Sequence, residues 1–376
     1  MDETYRKAGK MDSECLSSML DPYHTDLIKI VRGYLLEGLE SKTGIKAELY
    51  KLNAYGTYLI FVHPYLILSC CLGKGSFFKP HVDTPRNEKM FGSLVIVFPT
   101  PHEGGALFLR HHGRELIFDS GKELANVGQP KIGYVAFFGD IEHEIAPVTS
   151  GHRITLTYNL YFDNGGPVSW NDAVSEHVNS PQPANQEGFR ETFKALLGNP
   201  EFMADGGTLV FGLRHVYPIK ESLKHVYDVL KGSDAVVYQS MRALGFEPVL
   251  YVYYDEDEDG EEAVEQIQGA IVDKLIDFDD VFDEVSIPAI VESKGGIRVH
   301  QDGAKMYNSS KDPEAVELVT PLTTYNRQQG AFASYGNEAR ITWAYGDVCM
   351  IVRIGRAGDR LRYPRVAQAK REEEWV

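Results

Sequence analysis

The chain has 376 residues, 43% hydrophobic and 24% charged, the composition of a soluble globular protein with room for two domains. Acidic residues outnumber basic ones 54 to 38, a net charge of −16, which disfavours broad nucleic-acid binding but leaves room for a local basic patch. Cys15, Cys70, Cys71 and Cys349 are too few for a disulfide framework and form no CxxC pair. The first residues lack the apolar core of a secretory signal, so the cytosol or nucleus is expected, with no nucleic-acid or membrane partner.

Residues 1–20 are polar and aperiodic and are expected to be disordered. Leu27, Ile30, Val31, Tyr34, Leu35 and Leu39 recur at helical spacing and predict a surface helix over 22–40. From 46 to 161 the texture changes to short β-rich runs, among them GSLVIVFP, GALFLRH, IGYVAFFG and RITLTYNLYF, separated by Gly, Pro or polar clusters. Such runs predict a sandwich or barrel, and the lack of βαβ alternation argues against a doubly wound sheet. A first domain is therefore expected over 21–163. Residues 164–205 read as a Gly/Pro/Asn/Ser-rich linker followed by a helix near 188–198. Residues 206–354 read as an α+β region: strands at 208–214, 249–254, 287–291, 316–320, 331–334 and 340–354, and a helix over 221–245. Residues 355–376 form a charged tail. The fold class is mainly β with an α+β C-terminal part.

Three residues of the first domain carry the chemistry. His81 and Asp83 lie in FFKPHVDTPR, and His143 lies in FFGDIEHEIAPV. On a strand, residues i and i+2 point the same way, so His-x-Asp can present two ligands to one side. A third imidazole completes a two-His, one-carboxylate face that leaves positions open for substrate and O2, as non-haem Fe(II) oxygenases require. After His143 the residues Thr149-Ser150-Gly151 predict a three-residue hairpin loop pairing Val148 with His152. His143, Ile145, Arg153, Thr155 and Thr157 then share one face, with His143 about 13 Å from the pairing point. A five-carbon diacid chelated at the metal would reach toward Arg153, whose planar fork meets a carboxylate in two parallel bonds, with Thr155 as a hydroxyl donor.

These motifs resemble those of the 2-oxoglutarate/Fe(II) oxygenases, in the prolyl 4-hydroxylase-like branch. The matching residues are Phe78-Lys79-Pro80-His81-Val82-Asp83, the glycine-led strand Gly104–Leu109, and His143 followed ten residues later by Arg153-Ile154-Thr155. The C-terminal region loosely resembles that of multi-domain fungal members. The resemblance implies a double-stranded β-helix, or jelly roll, with Fe(II) on His81, Asp83 and His143. It implies 2-oxoglutarate as cosubstrate on Arg153 and Thr155, with Tyr55 beside it, O2 as oxidant and ascorbate as an accessory reductant. A protein or small-molecule substrate, a prolyl residue among the options, would be hydroxylated as 2-oxoglutarate is converted to succinate. A non-catalytic binding module on the same scaffold is the alternative. A Zn²⁺ hydrolase could use the same ligands but has no need of a remote diacid anchor.

Other features read as structural. His102-Glu103 has no second His at HExxH spacing, and His111-His112 precedes Gly113 at a predicted turn. Glu142 and Glu144 flank His143 and should point to solvent. Asp255–Gly260 imitates an EF-hand loop, but Gln266 occupies the place of its bidentate Glu, and Asn308-Ser309-Ser310 is a sequon without a signal peptide. The segment 57–72, TYLIFVHPYLILSCCL, is the most apolar of the chain, yet short for a bilayer span and interrupted by His63 and Pro64. Removing Thr57–Gly73 leaves KLNAYG-KGSFFKPHVDTPR, which fits the family pattern and puts Tyr55 nine residues before His81 instead of 26. Codons for Gly56-Thr57 and Leu72-Gly73 permit GT and AG ends on an in-frame insert of 51 bases. The segment therefore reads as a retained intron. A genuine hydrophobic insert, buried as an extra strand or exposed as a docking lip or membrane-contacting loop, is the competing reading.

Overall fold

The computed structural model describes residues 5–37, 44–56, 75–125, 131–163, 185–255, 268–278, 286–302, 305–308, 314–335 and 339–362. The chain divides into two units, residues 1–183 and 184–376.

The first unit contains β1 (Arg6–Lys7), β2 (Gly9–Asp12), α1 (Leu27–Leu35), β3 (Gly44–Gly56), β4 (Ser76–His81), β5 (Met90–Val97) and β6 (His102–Gly104). It continues with β7 (Leu107–His111), β8 (Arg114–Phe118), the single turn α2 (Ser120–Glu123), β9 (Gly133–Phe138) and β10 (Glu142–Asp163). Two curled sheets share β10, the arrangement expected of a jelly roll. Its first part lies between β4 and β7, with β1 beyond β4 and β8 beyond β7. Its second part lies between β3 and β5, with β2 and β9 outside them. Tyr55, Leu107, Ile145 and Val148 form a buried cluster between the sheets. Truncating Leu107 there would cost about 2–5 kcal/mol in lost transfer energy and residual cavity.

The structure corrects the sequence reading at several points. The hairpin at 149–151 does not form, because β10 is one strand of 22 residues. Val148 pairs with Ser76 and Gly104, whereas His152 pairs with Gly56, so the strand passes from one sheet to the other instead of folding back. Gly151 makes this possible: its φ is +67°, and a Cβ there would lie 2.1 Å from the Pro101 carbonyl oxygen. Within the stretch 1–20, residues 6–12 are ordered by edge pairing, Arg6 opposite Phe78 and Gly9–Asp12 opposite Ala54–Lys51. Glu142 and Glu144 do turn away from His143, but they meet Arg110, at 3.6 and 2.5 Å.

The second unit holds α3 (Asn185–Gly198), β11 (Gly207–Gly212), α4 (Gly232–Ala243), β12 (Val249–Asp255), β13 (Gln268–Val272) and α5 (Ile287–Ser293). The strands β14 (Ile297–Asp302), β15 (Lys305–Asn308), β16 (Ala315–Thr320), β17 (Gln328–Tyr335) and β18 (Ala339–Ile354) follow. The strand row β11-β16-β15-β14-β13-β12-β18 closes on itself because β11 also pairs with β18, and β17 adds to β18. The region read as α+β is a β ring accompanied, among the described residues, by helices α3, α4 and α5, with a core formed by Val210, Tyr253, Ile271, Val299, Val316, Cys349 and Ile351. The strand expected at 287–291 is the helix α5, for which Ser286 supplies an extended N-cap residue and Pro288 the preset φ of a first turn. Residues 355–362 of the expected tail are docked, since Arg360 donates to the carbonyls of Leu197, Asn199, Phe202, Met203 and Gly355. The acidic loop beyond Asp255 and residues 309–310 of the sequon lie outside the described residues, as do 57–73.

The flanks of that last segment are informative. Gly56 ends β3 opposite His152, Ser76 begins β4 opposite Val148, and the Ser76 hydroxyl donates to the Gly56 carbonyl at 3.0 Å. Removing Thr57–Gly73 would leave Lys74 and Gly75 between them. Three residue steps reach up to about 10 Å, enough to join β3 and β4 as one strand along β10. The shortened chain is therefore expected to fold, with a melting temperature equal to or above that of the full chain. A deletion variant that fails to fold would show that the segment belongs to the barrel.

Candidate metal centre and anion pocket

One pocket of the first unit gathers the residues that the sequence singles out. His81, Asp83, His143, Arg153, Thr155 and Tyr55 all line it. His81 ends β4 and lies opposite His143 on β10, so pairing of two strands brings together residues 62 apart in sequence. Ligand atoms of His81, Asp83 and His143 lie within 4.8 Å of one another, with His143 Nε2 3.9 Å from Asp83 Oδ1.

Each of these three side chains is aimed by its own neighbour. The Nδ1 atoms of His81 and His143 lie 2.8 and 3.0 Å from the carbonyls of Lys79 and Ile141. A carbonyl only accepts, so Nδ1 carries the proton and Nε2 keeps its lone pair for a metal. The Ser93 hydroxyl donates to Asp83 Oδ2 at 2.6 Å, leaving Oδ1 toward the imidazoles. Burial, followed by the neighbouring His143, pushes the His81 pKa down to about 4, so the ring is neutral at pH 7. Phe78 stacks on His81 at 3.7 Å, and Phe137 lies 4.8 Å from His143. Two imidazoles and one carboxylate fit Fe(II) and leave part of its coordination sphere for other ligands.

Arg153 lies on β10 opposite Tyr55 of β3, with its guanidinium 5.6 Å from the tyrosine ring. It is 1% exposed, no carboxylate pairs with it, and its Nη2 has no hydrogen-bond partner among the described residues. Burial pulls its pKa down from the ordinary value. An unpaired cation at this depth is costly, and an anion entering the pocket would offset that cost. Thr155, equally buried, is the next residue on the same face.

Sequence reasoning missed how Arg153 is held. His102 Nδ1 donates to the Thr100 carbonyl at 2.7 Å, so Nε2 accepts from the Ser120 hydroxyl at 3.0 Å. The Ser120 oxygen in turn accepts from Arg153 Nε at 3.3 Å. This chain holds the guanidinium through its Nε, with Arg153 in the pocket lining. Gly105 supplies the room: with φ +70°, a Cβ there would lie 3.0 Å from Arg153 Cδ. In the sequence His102 stands out only as half of an absent HExxH motif, and Ser120 carries no motif at all. Thr157, placed on this face by the sequence, lines the pocket too, and Lys51, Asn53 and Ser93 complete the polar lining without a sequence signal.

Residues 66–161 match the model of the 2OG-Fe(II) oxygenase superfamily. No curated protein matches the chain. Among solved structures, a 2OG-Fe(II) oxygenase family oxidoreductase from Burkholderia pseudomallei is 18% identical, with a TM-score of 0.23. That match covers 31% of this chain and 44% of the other, less than half its length. A Pseudomonas putida prolyl-4-hydroxylase is 15% identical with a TM-score of 0.26, over 42% of this chain and 71% of the other. At these scores the two structures add no weight to the family match.

The two halves of the pocket are expected to separate by mutation. Asp83→Ala should abolish Mn(II) binding measured by calorimetry. Arg153→Leu should leave Mn(II) binding nearly intact while weakening a five-carbon dicarboxylate by about 2–5 kcal/mol. Ser120→Ala should weaken the same dicarboxylate by about 1 kcal/mol. Equal losses of metal and dicarboxylate in Arg153→Leu would mean that the barrel itself is damaged.

Proposed function

We propose, for a chain whose residues 66–161 carry a 2OG-Fe(II) oxygenase domain, that it is a dioxygenase that hydroxylates a protein or small-molecule substrate and converts 2-oxoglutarate to succinate and CO2. The observation that carries this reading is the buried, unpartnered Nη2 of Arg153, in the same pocket as the His81–Asp83–His143 cluster. A metal site alone would serve many chemistries. A metal site with a remote, preformed carboxylate anchor fits a bound diacid.

His81, Asp83 and His143 would hold Fe(II). When bound with 2-oxoglutarate and O2, the iron supplies the oxidising power that turns a C–H bond into C–OH as the diacid leaves as succinate and CO2. Arg153 and Thr155 would hold the far carboxylate of 2-oxoglutarate, with Tyr55 packed against the guanidinium. Val95, Leu107, Phe137 and Ile145 wall the pocket with apolar surface, which keeps competing water from the reacting centre. Ser93 keeps Asp83 from turning away when the metal is exchanged.

The same reading includes ascorbate as accessory reductant, a prolyl residue among the substrate options, and a cytosolic or nuclear location. The net charge of −16 supports a substrate other than nucleic acid. Among the described residues no helix is long and apolar enough to cross a membrane.

Fe(II)-dependent formation of succinate from 2-oxoglutarate tests the reading. His81→Ala, Asp83→Ala and His143→Ala are each expected to lower it at least a hundredfold while the protein stays folded by circular dichroism. Ordinary turnover in folded Asp83→Ala would overturn the assignment.

A further inference from the structure

The pocket holds one cation that neither the metal nor the diacid uses. Lys51 lies on β3 in the same alternating row as Asn53 and Tyr55, and its side chain lines the pocket. In register it lies opposite Thr157, four residues along β10 from Arg153, or about 13 Å along the strand. It therefore faces the pocket at a point well removed from the diacid anchor. A bulge follows directly on its other side. Thr157 pairs with Lys51 and the next residue, Tyr158, pairs with Leu49, so Tyr50 is an extra residue in β3. Such a bulge re-aims the side chains beside it.

The surroundings of Lys51 are cationic although the chain as a whole carries −16. The charges that act on its ammonium are Arg6, Lys10 and Arg86, all positive, and Asp83. Asp83 belongs to the metal cluster. Asp12, opposite Lys51 on the neighbouring strand, is held by Lys10 at 3.3 Å. Lys51 and Arg86 both lie over the Tyr50 ring, at 4.4 and 4.3 Å, a contact that leaves their charge unneutralised. Arg6 reaches in from β1 to donate to Asn53 Oδ1 at 2.5 Å, and its Nε is buried without a hydrogen-bond partner among the described residues. Like charges gathered beside a half-buried pocket repel one another and persist where an anion is to be received.

We propose that the Lys51 side of this pocket is a recognition site for an anionic group on the substrate, a carboxylate or phosphate, carried either by an acidic peptide or by a small acid. Lys51 receives the anion, and Arg6 and Arg86 set the field that draws it in. This rests on the oxygenase reading of the same pocket and adds the substrate's charge to it.

The test is binding to the full chain loaded with Mn(II) and saturating 2-oxoglutarate. The probes are fluorescent random peptide pools that are Asp/Glu-rich, Ser/Gly-rich or Lys/Arg-rich, and a set of small monocarboxylic acids and phosphate monoesters. The acidic pool or the small anions are expected to bind at least about tenfold more tightly than neutral probes, with the preference shrinking as salt rises. Preference for the acidic pool identifies a peptide substrate, and preference for the small anions a metabolite. Lys51→Gln should remove most of that preference, and Arg86→Gln, at an exposed position that tolerates change, about threefold of it. Equal binding of all probes, no anion binding at all, or a preference unchanged in both variants would overturn the proposal. Mn(II) and 2-oxoglutarate titrations on the same samples report separately on the oxygenase reading.

Discussion

From His143 to Arg153 is ten residues, which in a straight strand would separate the two side chains by about 33 Å. A single pocket can contain both only because β10 bends between them. Register shifts between His143 and Ser150 interrupt the alternation and bury Val148 beside Ile145, yet residues 143, 145, 153, 155 and 157 all reach the same pocket. Pairing does the rest. The first part of β10 brings His81 opposite His143, and the second brings Tyr55 opposite Arg153. Gly151, with its positive φ and no room for a Cβ, is the residue on which this passage between sheets depends.

Electrostatics complement that geometry. The His81 ring is held neutral by burial, ready to ligate. Arg153 is held charged but unpaired, on a hydrogen-bonded chain through Ser120 to His102. The first arrangement favours a metal and the second an anion, so the pocket is prepared for two partners at once. Lys51 adds a third polarity, on the part of the pocket away from Arg153. A folded chain bears such unneutralised charge at a cost, and bound ligands relieve it.

Much of this was legible in the sequence because it depends on local rules. Ligand spacing on a strand follows from the two-residue period, and the mainly β character followed from short β-rich runs bounded by turn residues. The error at 149–151 came from reading Thr-Ser-Gly as a hairpin loop, when the glycine serves a bend within one strand. The face assignment survived the wrong topology because the register shifts between His143 and Ser150 leave 143, 145 and 153 on the pocket side, although Val148 is buried with them. The strand expected at 287–291 failed where apolar content outweighed the Ser286 and Pro288 helix-start signal. Ser120, His102 and Lys51 could not be found from sequence, since their roles arise only when strands distant in sequence are packed together.

The most direct test of the account is a crystal structure of the chain grown with Mn(II) and 2-oxoglutarate. The account expects the metal on His81, Asp83 and His143, and the far carboxylate of the diacid on Arg153. A diacid anchored instead on Lys51, or a metal bound away from these three ligands, would contradict it.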